Sequence, residues 1–353
     1  MPVSSNVRPQ MATLPPLDIK HNINHAPHVV LLGAGASLAT FPRGDVTGRQ
    51  LPLMRNIVDK VGLRTDLANA GIVQSLDDFE ALYDGLASSG TNQELVALIE
   101  RRIHEYFSGM QLQEKATLYD LLLLSLREKD VIATFNWDPF LPQAFKRNRS
   151  VRRLPRILFL HGNVDVGACR DHKKSGFLEH RCSTCRKPME PSRLLFPVKH
   201  KDYTSDPFIK SEWTQLEEAM ERAYLVTIFG YSAPVTDIEA RGLLLDKWKI
   251  NPTRDLAEID IVDIRERAEI EANWKDFFVR RHYGIFKDVL HTTSFRHPRR
   301  SCEAFAMATL QQVPWRENNF PKTRNLEELH AWIKPLLDEE EQGSFTGSPC
   351  PIG

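Results

Sequence analysis

Five short apolar runs set the terms on which this chain can fold. They lie at about 28–32, in "DVIATFN" (130–136), "PRILFLHG" (155–162), "AYLVTIFG" (223–230) and "AEIDIVDI" (257–264), and each reads as a buried strand. Helical patterns at 206–222, 237–249 and 265–279 separate the later ones. Short apolar strands alternating with helices predict a parallel sheet covered on both faces, a doubly wound, Rossmann-like α/β fold. Between the first two runs, residues 50–128 hold four stretches with apolar residues at helical spacing, "LPLMRNIVDKVGL", "SLDDFEALYDGLAS", "NQELVALIERRIHEYF" and "KATLYDLLLLSLREK". They predict a helical insertion lobe. A cysteine-bearing excursion occupies about 163–205. The organisation expected is a mobile arm over 1–27, one domain over 28–339 and a disordered tail over 340–353.

Composition narrows the class of protein. Of 353 residues, 42% are hydrophobic and 26% charged, with 46 basic and 46 acidic side chains. No global field draws the chain to nucleic acid or to an anionic membrane. The local run "KRNRSVRRLPR" (146–156) carries only basic charge and reads as a solvated loop before a strand, with a local phosphate- or partner-binding patch as the alternative. The longest apolar run, "LLLLSL" at 121–126, is far too short to span a bilayer, and the N-terminus has no signal-peptide core. Five cysteines, two of them in a Cys-x-x-Cys pair, suit a reducing cytosol and a metal rather than a disulfide framework. A soluble, cytoplasmic protein is expected.

Ligands of such sheets sit at the carboxyl ends of the strands, and there the polar residues gather. "VVLLGAGAS" (29–37) ends a strand on Gly33 and Gly35, which allow either a phosphate cradle or a bare tight turn. A dehydrogenase fingerprint would place a third glycine where Leu38 stands. Asn136 and Asp138 follow the second run; Asp138 also suits a cap on the helix that Pro139 begins. His161 closes the third run, as a satisfied core histidine or a general base. Ser232 and Asp263 follow the fourth and fifth. "TDIE" (236–239) fits a capping box, which gives Thr236 and Glu239 a structural reading.

Taken in order, "GAGAS", "TFNWD", "LHG", a cysteine cluster and "GYSAPVTD" resemble the sirtuin superfamily over roughly 28–265. More narrowly, they are similar to its bacterial NAD-hydrolase branch, many members of which serve in defence against phage. The resemblance implies that Gly33, Ala34, Gly35, Ala36 and Ser37 hold the dinucleotide phosphates. It implies that Asn136 and Asp138 contact the nicotinamide-side ribose and orient a water, that His161 is catalytic, and that Gly230 and Ser232 lie near the adenosine. Asp263 sits where a carboxylate accepts bonds from ribose hydroxyls.

The chemistry is consistent without the family. Cleaving the nicotinamide–ribose bond develops positive charge on the ribose and releases a good leaving group, so positioning and electrostatics suffice. Cys169-x-x-His172 and Cys182-x-x-Cys185 give two short ligand pairs, which suit a closed, structural Zn2+. Sirtuins carry a zinc module at this point, normally with four cysteines; here His172 takes one place, and His180 competes with it.

Three functions remain open on these residues: a NAD glycohydrolase, a NAD-dependent protein-lysine deacylase, and a non-catalytic module binding NAD or ADP-ribose. In classical deacylases a Pro and a Phe-Arg pair follow the glycine loop; here "LATFPRGDVTGRQLP" brings Phe41 and Arg43 too close to it. Unregulated NAD hydrolysis would poison its own cell, which implies gating by self-association or by a protein activator.

Overall fold

The computed structural model describes residues 25–73, 76–198, 201–233, 237–279 and 282–343. The chain enters the sheet along β1 (His28–Leu32) and turns at Gly33 into a short helix, α1 (Ala34–Thr40). The insertion follows as α2 (Ile57–Val61), α3 (Arg64–Asn69), α4 (Phe79–Ser89), α5 (Gln93–Ser108) and α6 (Leu118–Ser125). It returns to β2 (Val131–Thr134), α7 (Phe140–Arg147) and β3 (Arg156–Phe159). A small antiparallel sheet of β4 (Val166–Cys169), β5 (Lys174–Phe177) and β6 (Glu190–Pro191) makes up the excursion. The second half runs through α8 (Pro207–Met220), β7 (Leu225–Phe229), α9 (Ile238–Ile250), β8 (Glu258–Val262), α10 (Arg267–Trp274) and β9 (Tyr283–Phe286). Three helices close the chain: α11 (Thr293–Arg296), α12 (Ser301–Leu310) and α13 (Leu326–Glu341).

The main sheet has six strands in the order β3-β2-β1-β7-β8-β9, all parallel. Strand direction alternates side chains between two dry layers. Val29 and Leu31 join Ile228, Ile259 and Ile261 under α8, α9 and α10, where Trp213, Trp248 and Trp274 are buried. Val30 and Leu32 face the other way, with Ile132, Phe229 and Val262, into the insertion lobe, where Phe79, Ile99, Ile103 and Leu122 are buried. Strands buried on both faces have little polar alternation to show, which is why β1, β2 and β7 read as apolar runs, whereas β8 carries Glu258 and Asp260 and the edge strand β3 exposes Arg156.

The order of strands reverses between β1 and β7, the place where a doubly wound sheet opens a crevice. Register sharpens this. Leu32 pairs with Thr134 and with Phe229, Thr134 with Phe159, and Phe229 with Val262. Gly33, Phe135, Leu160, Gly230 and Asp263 therefore leave the sheet at one level.

Two boundaries differ from the sequence expectation. Ala26 is already buried, and Pro27 accepts a hydrogen bond from Tyr224 N–H (3.0 Å), so the chain is packed before residue 28; residues 1–24 of the expected arm lie outside the described residues. At the other end α13 carries the chain past 340, where the tail was expected to begin. Glu340 is buried and accepts from the fully buried Arg299 at 2.7 Å and from Arg300 at 2.6 Å. A polar segment read as tail is held by an ion-pair cluster that no local pattern announces; residues 344–353 of that tail lie outside the described residues.

Candidate active site at the strand-order reversal

A cavity of about 390 Å³ opens at the reversal. Gly33, Ala34, Gly35 and Ser37 line it, together with Asn136, Asp138, His161, Gly230 and Ser232. Ala36 is fully buried beside them in the lobe-side core. Asp263 leaves the sheet at the right level but two strands away from β1. It does not line the cavity, and its carboxylate is taken by Arg265 at 2.7 and 3.0 Å. Thr236 lies outside the described residues.

The glycines of the first turn are explained by backbone packing. A Cβ on Gly33 would stand 2.5 Å from Gly230 O, one on Gly35 2.7 Å from Gly230 Cα, and one on Gly230 2.2 Å from Ala36 N. Gly230 also holds φ at +62°. The two loops interlock: Gly33 N–H donates to Phe229 O (3.0 Å) and Gly35 N–H to Gly230 O (2.9 Å). These two amides brace the crevice and do not face a ligand.

Ser37 is equally committed. Its hydroxyl donates to Asp138 Oδ2 (2.7 Å) and accepts from Tyr119 OH (2.6 Å) and Asn136 Nδ2 (3.0 Å). One donor and two acceptors exhaust a hydroxyl. Asn136 Nδ2 gives its other hydrogen to Gly33 O (2.9 Å), which leaves Oδ1 as the atom of that amide suited to a ligand. Asn163 fixes the loop from behind, donating to the carbonyls of Asp138 (2.7 Å) and Asn136 (3.2 Å). Asp138 also accepts from Phe140 N–H (3.2 Å) at the start of α7, so the capping role and the cavity role coexist. Burial pushes the Asp138 carboxyl up to about 6, against the lowering effect of the Ser37 and Phe140 bonds.

The opposite wall is built with charge. His161 stands edge-on to Phe135 (ring centroids 5.0 Å) with Nε2 3.5 Å from Tyr203 OH. Phe135 in turn stacks on Tyr231 at 4.0 Å. Lys201 and Asp237, both buried and both lining the cavity, form an ion pair, and Tyr231 OH donates to Asp237 Oδ2 at 3.1 Å. Burial first, and the Lys201 charge second, hold the His161 imidazole down at about 3, with Asp237 opposing. The ring is therefore neutral across the physiological range.

Sequence reading did not single out Tyr119, Lys201, Tyr203, Tyr231 or Asp237. Tyr231 and Asp237 lie inside the quoted "GYSAPVTD" and could have been taken from it. Lys201 and Tyr203 sit in irregular chain, and Tyr119 is one apolar position of a helix, so nothing local marks them.

The excursion carries a second cluster. Cys169 Sγ lies 3.5 Å from His172 Nδ1 and 3.6 Å from Cys185 Sγ, and Cys182 Sγ lies 3.8 Å from His172 Nδ1. All four donor atoms fall within 4.8 Å of one another. A tetrahedral Zn2+ at ordinary bond lengths would place sulfurs about 3.8 Å apart and sulfur from nitrogen about 3.5 Å. The donor set fits such an ion, held by Cys169, His172, Cys182 and Cys185 with no position left open. His180 is turned away, 3.3 Å from Arg149 Nη1.

No protein-family model matches the chain, and no curated protein matches it in sequence. Among solved structures it is similar to a Sir2 homolog–NAD complex, at 16% identity over 83% of this chain and 95% of that one, with a TM-score of 0.40. It is similar also to a Sir2 protein bound to acetylated peptide (14% identity, 84% and 97% covered, TM-score 0.37). A third is a mutant Sir2 homologue in complex with ADP ribose (14%, 91% and 98%, TM-score 0.38). Among the described residues no helix is long and apolar enough to cross a membrane.

Proposed function

We propose that this protein is a sirtuin-like NAD glycohydrolase, which cleaves the nicotinamide–ribose bond to give nicotinamide and ADP-ribose. The observation that carries the reading is one cavity at the strand-order reversal lined by Asn136, Asp138 and His161, residues drawn from the ends of two adjacent strands. The motif order that resembles the hydrolase branch supports it, as does the zinc-type cluster after His161.

In this reaction the bond's electron pair leaves with nicotinamide, and water oxygen bonds to the ribose carbon. Asp138, ionised above about pH 6, supplies negative charge toward the cationic ribose. Asn136 Oδ1 accepts from a ribose hydroxyl or the water. His161 takes the water's proton; an imidazole held near 3 is a weak base, which suffices once the attacking water is bonded to carbon and strongly acidic. Zinc would hold the excursion together and take no part in the chemistry. The protein works in the cytoplasm, serves in phage defence and is gated by self-association or a protein activator, with no nucleic-acid ligand.

A deacylase is the second reading. It uses the same cavity residues, with an acyl-lysine oxygen in place of water as the acceptor. Incubating purified protein with NAD and quantifying nicotinamide and ADP-ribose tests the first reading. Release without any peptide supports it, and release only with an acyl-lysine peptide replaces it by the second.

A further inference from the structure

Resting on the glycohydrolase reading, we propose that Lys201, Tyr203, Tyr231 and Asp237 form an acceptor subsite beside His161 that admits water and turns away an apolar acceptor. Lys201, Tyr231, Asp237 and His161 all line the cavity, and Tyr203 OH approaches His161 Nε2 at 3.5 Å. Tyr203 OH and the Phe135 ring stand against the imidazole, and an ion pair and a second phenol hydroxyl, bound to Asp237, line the same cavity.

A wall of charged and hydroxyl groups offers hydrogen bonds to a small polar acceptor and none to an alkyl chain. Water loses nothing there, because it exchanges one set of hydrogen bonds for another. In the step concerned, the nicotinamide nitrogen leaves with its electron pair, water oxygen bonds to ribose C1′, and the water's proton passes to His161.

The partition between water and methanol reads this directly, because it is a ratio of products and does not depend on overall rate. NAD is cleaved in aqueous methanol, and ADP-ribose and methyl ADP-ribose are separated by chromatography. Wild-type protein is expected to favour water over methanol relative to their molar ratio. Lys201→Met combined with Asp237→Leu removes both charges at similar volume and is expected to shift the partition toward methanol about tenfold, what one methyl group gains in an apolar pocket. Tyr203→Phe and Tyr231→Phe, which preserve shape, are expected to shift it the same way by a smaller factor, and they carry the test if the double variant does not fold. An unchanged partition in every folded variant overturns the inference while leaving the hydrolase reading in place. Nicotinamide release from wild-type protein only in the presence of an acyl-lysine peptide overturns the reading itself, and the inference with it.

Discussion

The two walls of the cavity hold their polar groups by different means. On the glycine-loop wall, Ser37, Tyr119 and Asn136 bind one another and Asp138 through neutral donors, and the one ionisable carboxyl, Asp138, is pushed up to about 6. On the other, Lys201 and Asp237 neutralise each other as a buried pair. On the first wall a single carboxyl changes charge near pH 6 with no charged partner among its hydrogen bonds. The second depends on both charges being present, since a buried charge without its partner is far more costly than none.

That contrast can be broken most sharply at Lys201. Lys201→Met alone leaves Asp237 buried and unpaired, and an expected loss of about 3–5 kcal/mol should appear in denaturant unfolding. The double substitution with Asp237→Leu should restore most of it. Equal stability of the single and double variants would show that the pair is not the buried unit described.

Asp138 gives the next effect, with opposite sign. Its folded value lies above the ordinary 3.8, so the folded state binds the extra proton. Its stabilising contribution is present below about pH 4 and is lost as pH rises through about 6, roughly 3 kcal/mol in all. His161 acts the other way: its lowered value withdraws stability as pH falls from 6.5 toward 3. Asp138→Asn should therefore make stability rise more steeply with pH across 4–6 than in wild type. The same substitution should abolish the rise of kcat/KM through about pH 6, and a profile left intact would remove Asp138 from the chemistry. The smallest effect belongs to Tyr119→Phe, which deletes one neutral hydrogen bond to Ser37. It should cost about 1 kcal/mol and leave the zinc content, measured by metal analysis, unchanged.

How much of this was legible differs by wall as well. The five expected strands all form, each legible as a short run dominated by β-branched and other apolar residues. β9 was missed: Tyr283–Phe286 is short, partly exposed and interrupted by Gly284. Gly33, Asn136, Asp138 and His161 were legible because each sits within a few residues of a strand's end. Lys201 and Asp237 were not, because their meaning lies in meeting across 36 residues of sequence, with α8 and β7 between them. Gly33 and Gly35 were read, on the resemblance, as a dinucleotide cradle in preference to a bare turn. Their glycine identity comes instead from interlocking with Gly230, a contact across two strands that no local motif encodes. Asp263 shows the limit of register: the right level on the sheet, on a strand too far from β1 to reach the cavity.

Everything proposed for the cavity rests on peptide-independent cleavage of NAD with His161 in place. The most direct measurement is chromatographic separation of products from NAD incubated with and without an acetyl-lysine peptide, for wild type and His161→Ala. Equal nicotinamide and ADP-ribose release is expected in both conditions, lowered by at least about 100-fold in the variant. Acyl-ADP-ribose formed only with peptide, or release undiminished in His161→Ala, would contradict it.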